Sequence, residues 1–247
     1  MKTKLSISNK WSLTALALGL GLAVSSVQAQ HLNAGALSTA QDGQLYFQNA
    51  VGFVSGSGFV VTSVSPTMSY SNTGTYAGFF NTGSPTFTAL AQTTNNGATP
   101  SPFAAAYGSF LQLRLESVVS GPVGGTFSFF DHGAVTPTYS LGVGSSVGSG
   151  NLFELSDDTL GAGDPGADPF GHIHGRRFAA DVAGSYQVGF RIVDTSVNGF
   201  GGGPIQADSQ LYLLTFNAVA VPEPTVLSLV AGGVIAVGMR VRRKVRS

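Results

Sequence analysis

The sequence predicts an all-β protein, an Ig-like or jelly-roll β-sandwich, preceded by an N-terminal signal peptide and followed by a C-terminal transmembrane helix. Three observations carry this. Apolar residues recur with period two rather than 3.6 along the middle of the chain. Clusters of Gly, Asn and Ser punctuate these runs every few residues. Only 10% of the 247 residues are charged while 34 are Gly, which excludes the Glu-, Lys- and Arg-rich profile of a coiled coil or charged bundle.

In chain order, strands are expected at 44–48, 51–54, 58–64 and 76–80. In 110–116, Leu111, Leu113 and Leu115 alternate with Gln112, Arg114 and Glu116. Further strands follow at 125–130, 138–143 and 151–155. In 186–192, Tyr186, Val188, Phe190 and Ile192 share a face opposite Gln187 and Arg191, and in 210–218 Tyr212, Leu214 and Phe216 do the same. Asn95-Asn96-Gly97 and Asn198-Gly199 mark turns. About ten short strands with Gly-rich links suit a sandwich whose core is filled by aromatics, chiefly the 17 Phe, with a barrel as the alternative.

The chain divides into three pieces by charge. Residues 1–29 carry three Lys and no acid, and 240–247 carry Arg240, Arg242, Arg243, Lys244 and Arg246 and no acid. The body, 30–220, holds four Arg against eleven acids, a net charge of −7. With no basic surplus it is not a nucleic-acid binder. With no Cys it has no disulfide, thiolate metal site or thiol nucleophile.

The first 29 residues read as a secretory signal peptide. Lysines lead into the apolar run Trp11 to Val24, and Val27 and Ala29 present small side chains for a signal peptidase. Cleavage between Ala29 and Gln30 starts the mature chain at Gln30. At the other end, Val221-Pro222-Glu223-Pro224-Thr225 precedes the 14-residue apolar run Val226 to Met239, and the basic tail 240–247 closes the chain. The prolines keep the motif extended. The basic tail holds the segment's end in the cytoplasm, and the run is short against the roughly 20 residues of a stable span.

This order resembles the PEP-CTERM sorting signal of exported bacterial proteins, over residues 221–247. The resemblance implies recognition at Val221, Pro222, Glu223 and Pro224 by an exosortase, a membrane-embedded cysteine transpeptidase-like enzyme. A transient inner-membrane anchor would precede transfer to the cell surface or the extracellular matrix. The body carries a second resemblance. Gly171-His172-Ile173-His174-Gly175-Arg176-Arg177-Phe178, followed by Gly184-Ser185-Tyr186-Gln187-Val188, looks like the surface-anchored repeat domain of actinobacterial wall proteins. Arg176 stands where that family carries Trp, and His31 corresponds to a histidine near that domain's start. This implies an Ig-like surface domain rather than an activity.

Four histidines offer the chemistry. Residues two apart on a strand face one side, so His172 and His174 can direct two imidazoles at one ion, with His31 and His132 as further donors. A Zn site of His with a carboxylate is sensible without Cys. Asp131 and the acids Asp157, Asp158, Asp164 and Asp168 add oxygen donors, and 157–168 could ligate Ca without the EF-hand spacing. The competing expectation is that these Asp shape turns and the His pair packs or hydrogen-bonds at a loop–strand junction. Gly144-Ser145-Ser146-Val147-Gly148 matches G-x-S-x-G but lacks the strand–elbow–helix context of a nucleophile. Glu116 and Glu154 are the body's only glutamates, and a glycosidase pair cannot be read from them. Tyr70, Tyr76 and Tyr107 are expected in the core or at strand edges rather than as sugar-stacking platforms.

The expectation is thus a non-catalytic structural or adhesive β-domain, exported and met by signal peptidase and exosortase, with extracellular polysaccharide as a possible partner. The alternatives are a surface metal-binding module using His172 and His174, and a polysaccharide-active enzyme.

Overall fold

The computed structural model describes residues 31–37, 43–48, 53–54, 60–61, 65–90, 104–155 and 172–220. The signal-peptide, sorting-motif and basic-tail residues, and the acids at 157–168, lie outside them. The strands are β1 (His31–Ala36), β2 (Leu45–Gln48), β3 (Phe53–Val54), β4 (Val60–Val61), β5 (Thr67–Tyr70), β6 (Phe80–Thr82), β7 (Thr86–Ala89), β8 (Leu111–Ser120), β9 (Thr126–Phe130), β10 (Tyr139–Gly142), β11 (Leu152–Glu154), β12 (Arg177–Ala180), β13 (Gly184–Asp194) and β14 (Tyr212–Val219). One 3-10 turn, Phe200–Gly202, is the only helical element among the described residues, and no helix there is long and apolar enough to cross a membrane. The protein is all-β, as the alternation predicts.

Nine strands form one sheet in the order β10-β9-β12-β6-β5-β14-β13-β8-β11. The sheet curls until its two edges meet. Phe129 of β9 stacks on Phe153 of β11 with centroids 4.2 Å apart, and the Tyr139 hydroxyl of β10 donates to the Leu152 carbonyl at 2.6 Å. A three-stranded sheet, β2-β1-β7, packs against the curled one through Phe87, whose ring meets Phe153, Phe178 and Phe190. Pairing is antiparallel except between β1 and β7 and between β14 and β5, which run parallel.

The alternating strands bury the predicted face. Leu111, Leu113 and Leu115 of β8, and Tyr186, Val188, Phe190 and Ile192 of β13, are all core. The outward face of the β8–β13 pair carries Arg191, whose Nε and Nη2 grip the two carboxylate oxygens of Glu116 at 2.7 and 3.0 Å. Two register shifts in β13, flanking Gly189, let the strands twist together. A Cβ on Gly189 would stand 2.4 Å from the Ser117 hydroxyl, so the close approach requires glycine there.

Three differences from the sequence expectation have physical causes. Residues 76–80 form a turn closed by the Gly78 amide on the Ser71 carbonyl, and the strand begins only at Phe80. Tyr76 and Phe79 instead set their rings edge-on to Phe130. The expected strands over 51–54 and 58–64 are two residues each where described. The strands β1, β5, β7 and β12 were not expected. All residues of β1 and β7 are buried, and their polar residues, His31 and Asn33 on one strand and Thr86 and Thr88 on the other, are neighbours across the ladder rather than a solvent face.

Candidate functional site

The polar residues of β1 prepare the site. In His31-Leu32-Asn33-Ala34-Gly35-Ala36 the apolar Leu32, Ala34 and Ala36 enter the core, while His31 and Asn33 share the opposite face. Across the parallel ladder His31 pairs with Thr86 and Asn33 with Thr88. The His31 Nδ1 lies 3.2 Å from the Thr88 hydroxyl oxygen. With Nδ1–H donating to that hydroxyl, the imidazole lone pair sits on Nε2.

Some 140 residues later, the chain delivers two more imidazoles to the same place. His172 and His174 lie in the extended segment that leads into β12. The His31 ring meets the His172 ring edge-on at 4.9 Å and the His174 ring at 6.3 Å. His172 and His174 themselves stand 4.5 Å apart between centroids, with their Nε2 atoms 2.9 Å apart. Two nitrogens on one tetrahedral zinc, at 2.0–2.1 Å each, would stand roughly 3.3 Å apart, so this pair is within a few tenths of an ångström of a chelating spacing. The third ring has not closed in: among the described residues no three His, Cys, Asp or Glu are drawn together as a finished ion site. What exists is a cluster of three neighbouring imidazoles.

Burial, then the charges of His172 and His174, lower the His31 pKa to about 4. His31 is 4% exposed and is therefore neutral at physiological pH, the form that binds a metal without first releasing a proton.

A clamp holds the His-x-His segment in position. The Arg176 Nε donates to Asp131 Oδ1 at 2.6 Å, and its Nη1 donates to the Glu154 carbonyl. The guanidinium lies over the rings of Phe129 and Phe153. His132 is not a fourth imidazole of the cluster. Its Nδ1 sits 2.8 Å from the His174 backbone carbonyl and donates to it, fixing the segment from outside. Asp131 is likewise committed, to Arg176 and to the His132 amide. Gly175 takes φ of 84°, and a Cβ there would meet His132 Nδ1 at 2.7 Å, so this turn next to His174 requires glycine. Beside His174, Thr86 and Arg176 help line a cavity of about 40 Å³.

The other candidates are placed differently. Glu116 is held below the usual carboxylate range, first by its hydrogen bonds from Arg191, and is fully engaged by that guanidinium. Ser146 of the G-x-S-x-G match forms a bridge with Ser117, and the described residues after it lead to β11, not to a helix. Tyr70 and Tyr107 are exposed at 44% and 48%, so neither takes a core position, one of the two placements expected; Tyr70 ends β5 with its ring against Phe80, and Tyr107 lies in a turn. Tyr76 receives the Arg177 guanidinium over its ring at 5.6 Å. A separate open groove of about 330 Å³ lies between β2 and the start of β14, with Leu37, Tyr46, Gln210, Leu211 and Tyr212 among its walls.

Asn33 and Thr88 were not singled out in the sequence, although the polar–apolar alternation of His31-Leu32-Asn33-Ala34 is legible in hindsight. The Asp131–Arg176 clamp had no sequence signal, since its partners are 45 residues apart. Comparison with protein-family models, with curated proteins and with solved structures finds no match for this chain.

Proposed function

We propose that the body is a metal-binding surface module, in which His31, His172 and His174 together take a divalent ion. The observation that supports it is the convergence of three imidazoles from two distant segments, one of them a buried neutral His with its Nδ1 oriented by a threonine. Second-sphere orientation of this kind is what metal-ligating histidines need. A set of nitrogen donors suits zinc or a similar borderline metal rather than calcium, which takes oxygen. The curled sheet carrying a three-stranded sheet on one side is, in this reading, a sandwich of jelly-roll type.

Purified protein is expected to hold a divalent metal in stoichiometric amount, to lose it to EDTA, and to regain it from zinc. The His172→Ala/His174→Ala double variant should hold none while keeping its β-rich circular dichroism. Elemental analysis decides the matter; equal metal content in the parent and the double variant would sink the proposal.

The order of charge and hydropathy at the two ends supports export of this module to the cell surface or extracellular matrix by signal peptidase and exosortase processing. Intact mass spectrometry of the exported material should find a chain beginning at Gln30 and lacking the basic tail 240–247. Recovery of the uncut 247-residue chain alone would refute the processing scheme.

A further inference from the structure

Next to the histidines lies a polar group that the three rings do not explain. Asn33 is two residues along β1 from His31, on the same face, and its ladder partner Thr88 is the residue whose hydroxyl meets His31. Asn33 is 0% exposed. Among the described residues neither its Oδ1 nor its Nδ2 has a hydrogen-bond partner. A carboxamide has two donors and a two-lone-pair acceptor, and a buried polar side chain with none of these met is rare and destabilising. Leucine, with the same branching and the same number of side-chain heavy atoms, would carry no unmet polar atom at this strand position. The asparagine is thus better suited to receiving something than to packing.

We propose that Asn33 is a positioning residue of the histidine site: its carboxamide oxygen accepts a hydrogen bond from the solvent ligand that completes the shell of an ion held by His31, His172 and His174. This rests on the metal-binding reading. Three imidazoles fill three places of a tetrahedral zinc and leave the fourth for water. Metal-bound water is a strong donor, and Asn33 is an acceptor with no competing partner. The asparagine then serves the loaded state at the expense of the empty one, which predicts opposite effects of one substitution on stability and on affinity.

The test is a cobalt(II) titration of the full-length chain, followed by d–d absorption, with thermal melts of the metal-free protein alongside. Asn33→Leu should melt higher without metal, by about 2–4 °C, and bind cobalt about tenfold or more weakly with an altered visible spectrum. Asn33→Asp keeps the acceptor and adds charge; it should bind at least as tightly as the parent. If Asn33→Leu matches the parent in cobalt affinity and spectrum, the role of Asn33 falls while the histidine site stands. If the parent itself takes up no cobalt, the site and the role of Asn33 fall together.

Discussion

Asp194→Ala is expected to destabilise the protein by about 4 kcal/mol, more than other single polar substitutions among the described residues. Asp194 ends β13 and is 1% exposed. Its Oδ1 accepts from the amides of Phe110 and Ser196, both at 2.9 Å, and its Oδ2 from those of Ile205 and Gln206, both at 3.0 Å. One carboxylate therefore ties together the approach to β8, the chain leaving β13 and the loop that returns to β14. Truncation removes an acceptor from four backbone donors, three of them on the buried residues Ser196, Ile205 and Gln206, and leaves the Ile205 amide only its longer bond to the Ser196 hydroxyl at 3.3 Å. Each unsatisfied buried donor costs roughly 1–3 kcal/mol less whatever water recovers. Asp194→Asn should lose about half as much, because its NH2 group faces two N–H donors while its oxygen still serves the other two. Asp181 makes a useful contrast. It also accepts a backbone amide, from Thr126 at 2.7 Å, but at an exposed position, so Asp181→Ala should cost under about 1 kcal/mol. Urea unfolding of the three variants measures this. A loss below 1 kcal/mol for Asp194→Ala would mean that the loops hold without the carboxylate.

Acid should weaken the fold through His31 by up to about 3 kcal/mol between pH 6.5 and pH 4. Burial and the facing His172 and His174 depress its folded pKa to about 4, whereas the unfolded side chain titrates near 6.5. Between those values the unfolded chain binds the proton and the folded chain does not. Stability from this group is therefore complete above pH 6.5, falls as the pH drops through the window, and levels off below pH 4. The Thr88 hydroxyl, also against the ring, does not titrate in this range. In His31→Asn, which can still reach Thr88 but carries no titrating ring, this slope should vanish. Denaturant unfolding of parent and variant at pH 7.5, 5.5 and 4 gives the difference directly. Parallel pH profiles would show that His31 titrates normally. Metal binding should weaken as the pH falls through the same range, since a protonated His31 cannot serve as a ligand.

Much of the fold was open to reading. Where one strand face meets the core and the other meets polar groups, as in β8, β13 and β14, the hydropathy alternates and the strand declares itself. β1 and β7 also alternate, His31 and Asn33 against Leu32 and Ala34 and Thr86 and Thr88 against Phe87 and Ala89, but they are short and their polar face is buried, so it marks no solvent side. The His172-x-His174 spacing was likewise legible, because two residues apart on an extended chain means one face. His132 was not: a histidine's neighbours depend on which loop folds over it, and here the His174 carbonyl takes its Nδ1.

By itself the sequence determined the all-β class, the inward faces of the long strands and the pairing of two histidines, since each follows from local periodicity and steric rules acting within a few residues. Only the tertiary structure decided that His31 joins His172 and His174, that Arg176 and Asp131 clamp them, and that Asn33 lies buried with its amide unmet. These depend on which strands become neighbours when the sheet curls and β1 lies parallel to β7. That choice is made by the packing of Phe87 against Phe153, Phe178 and Phe190, an energy summed over residues up to about a hundred positions apart that no local pattern records.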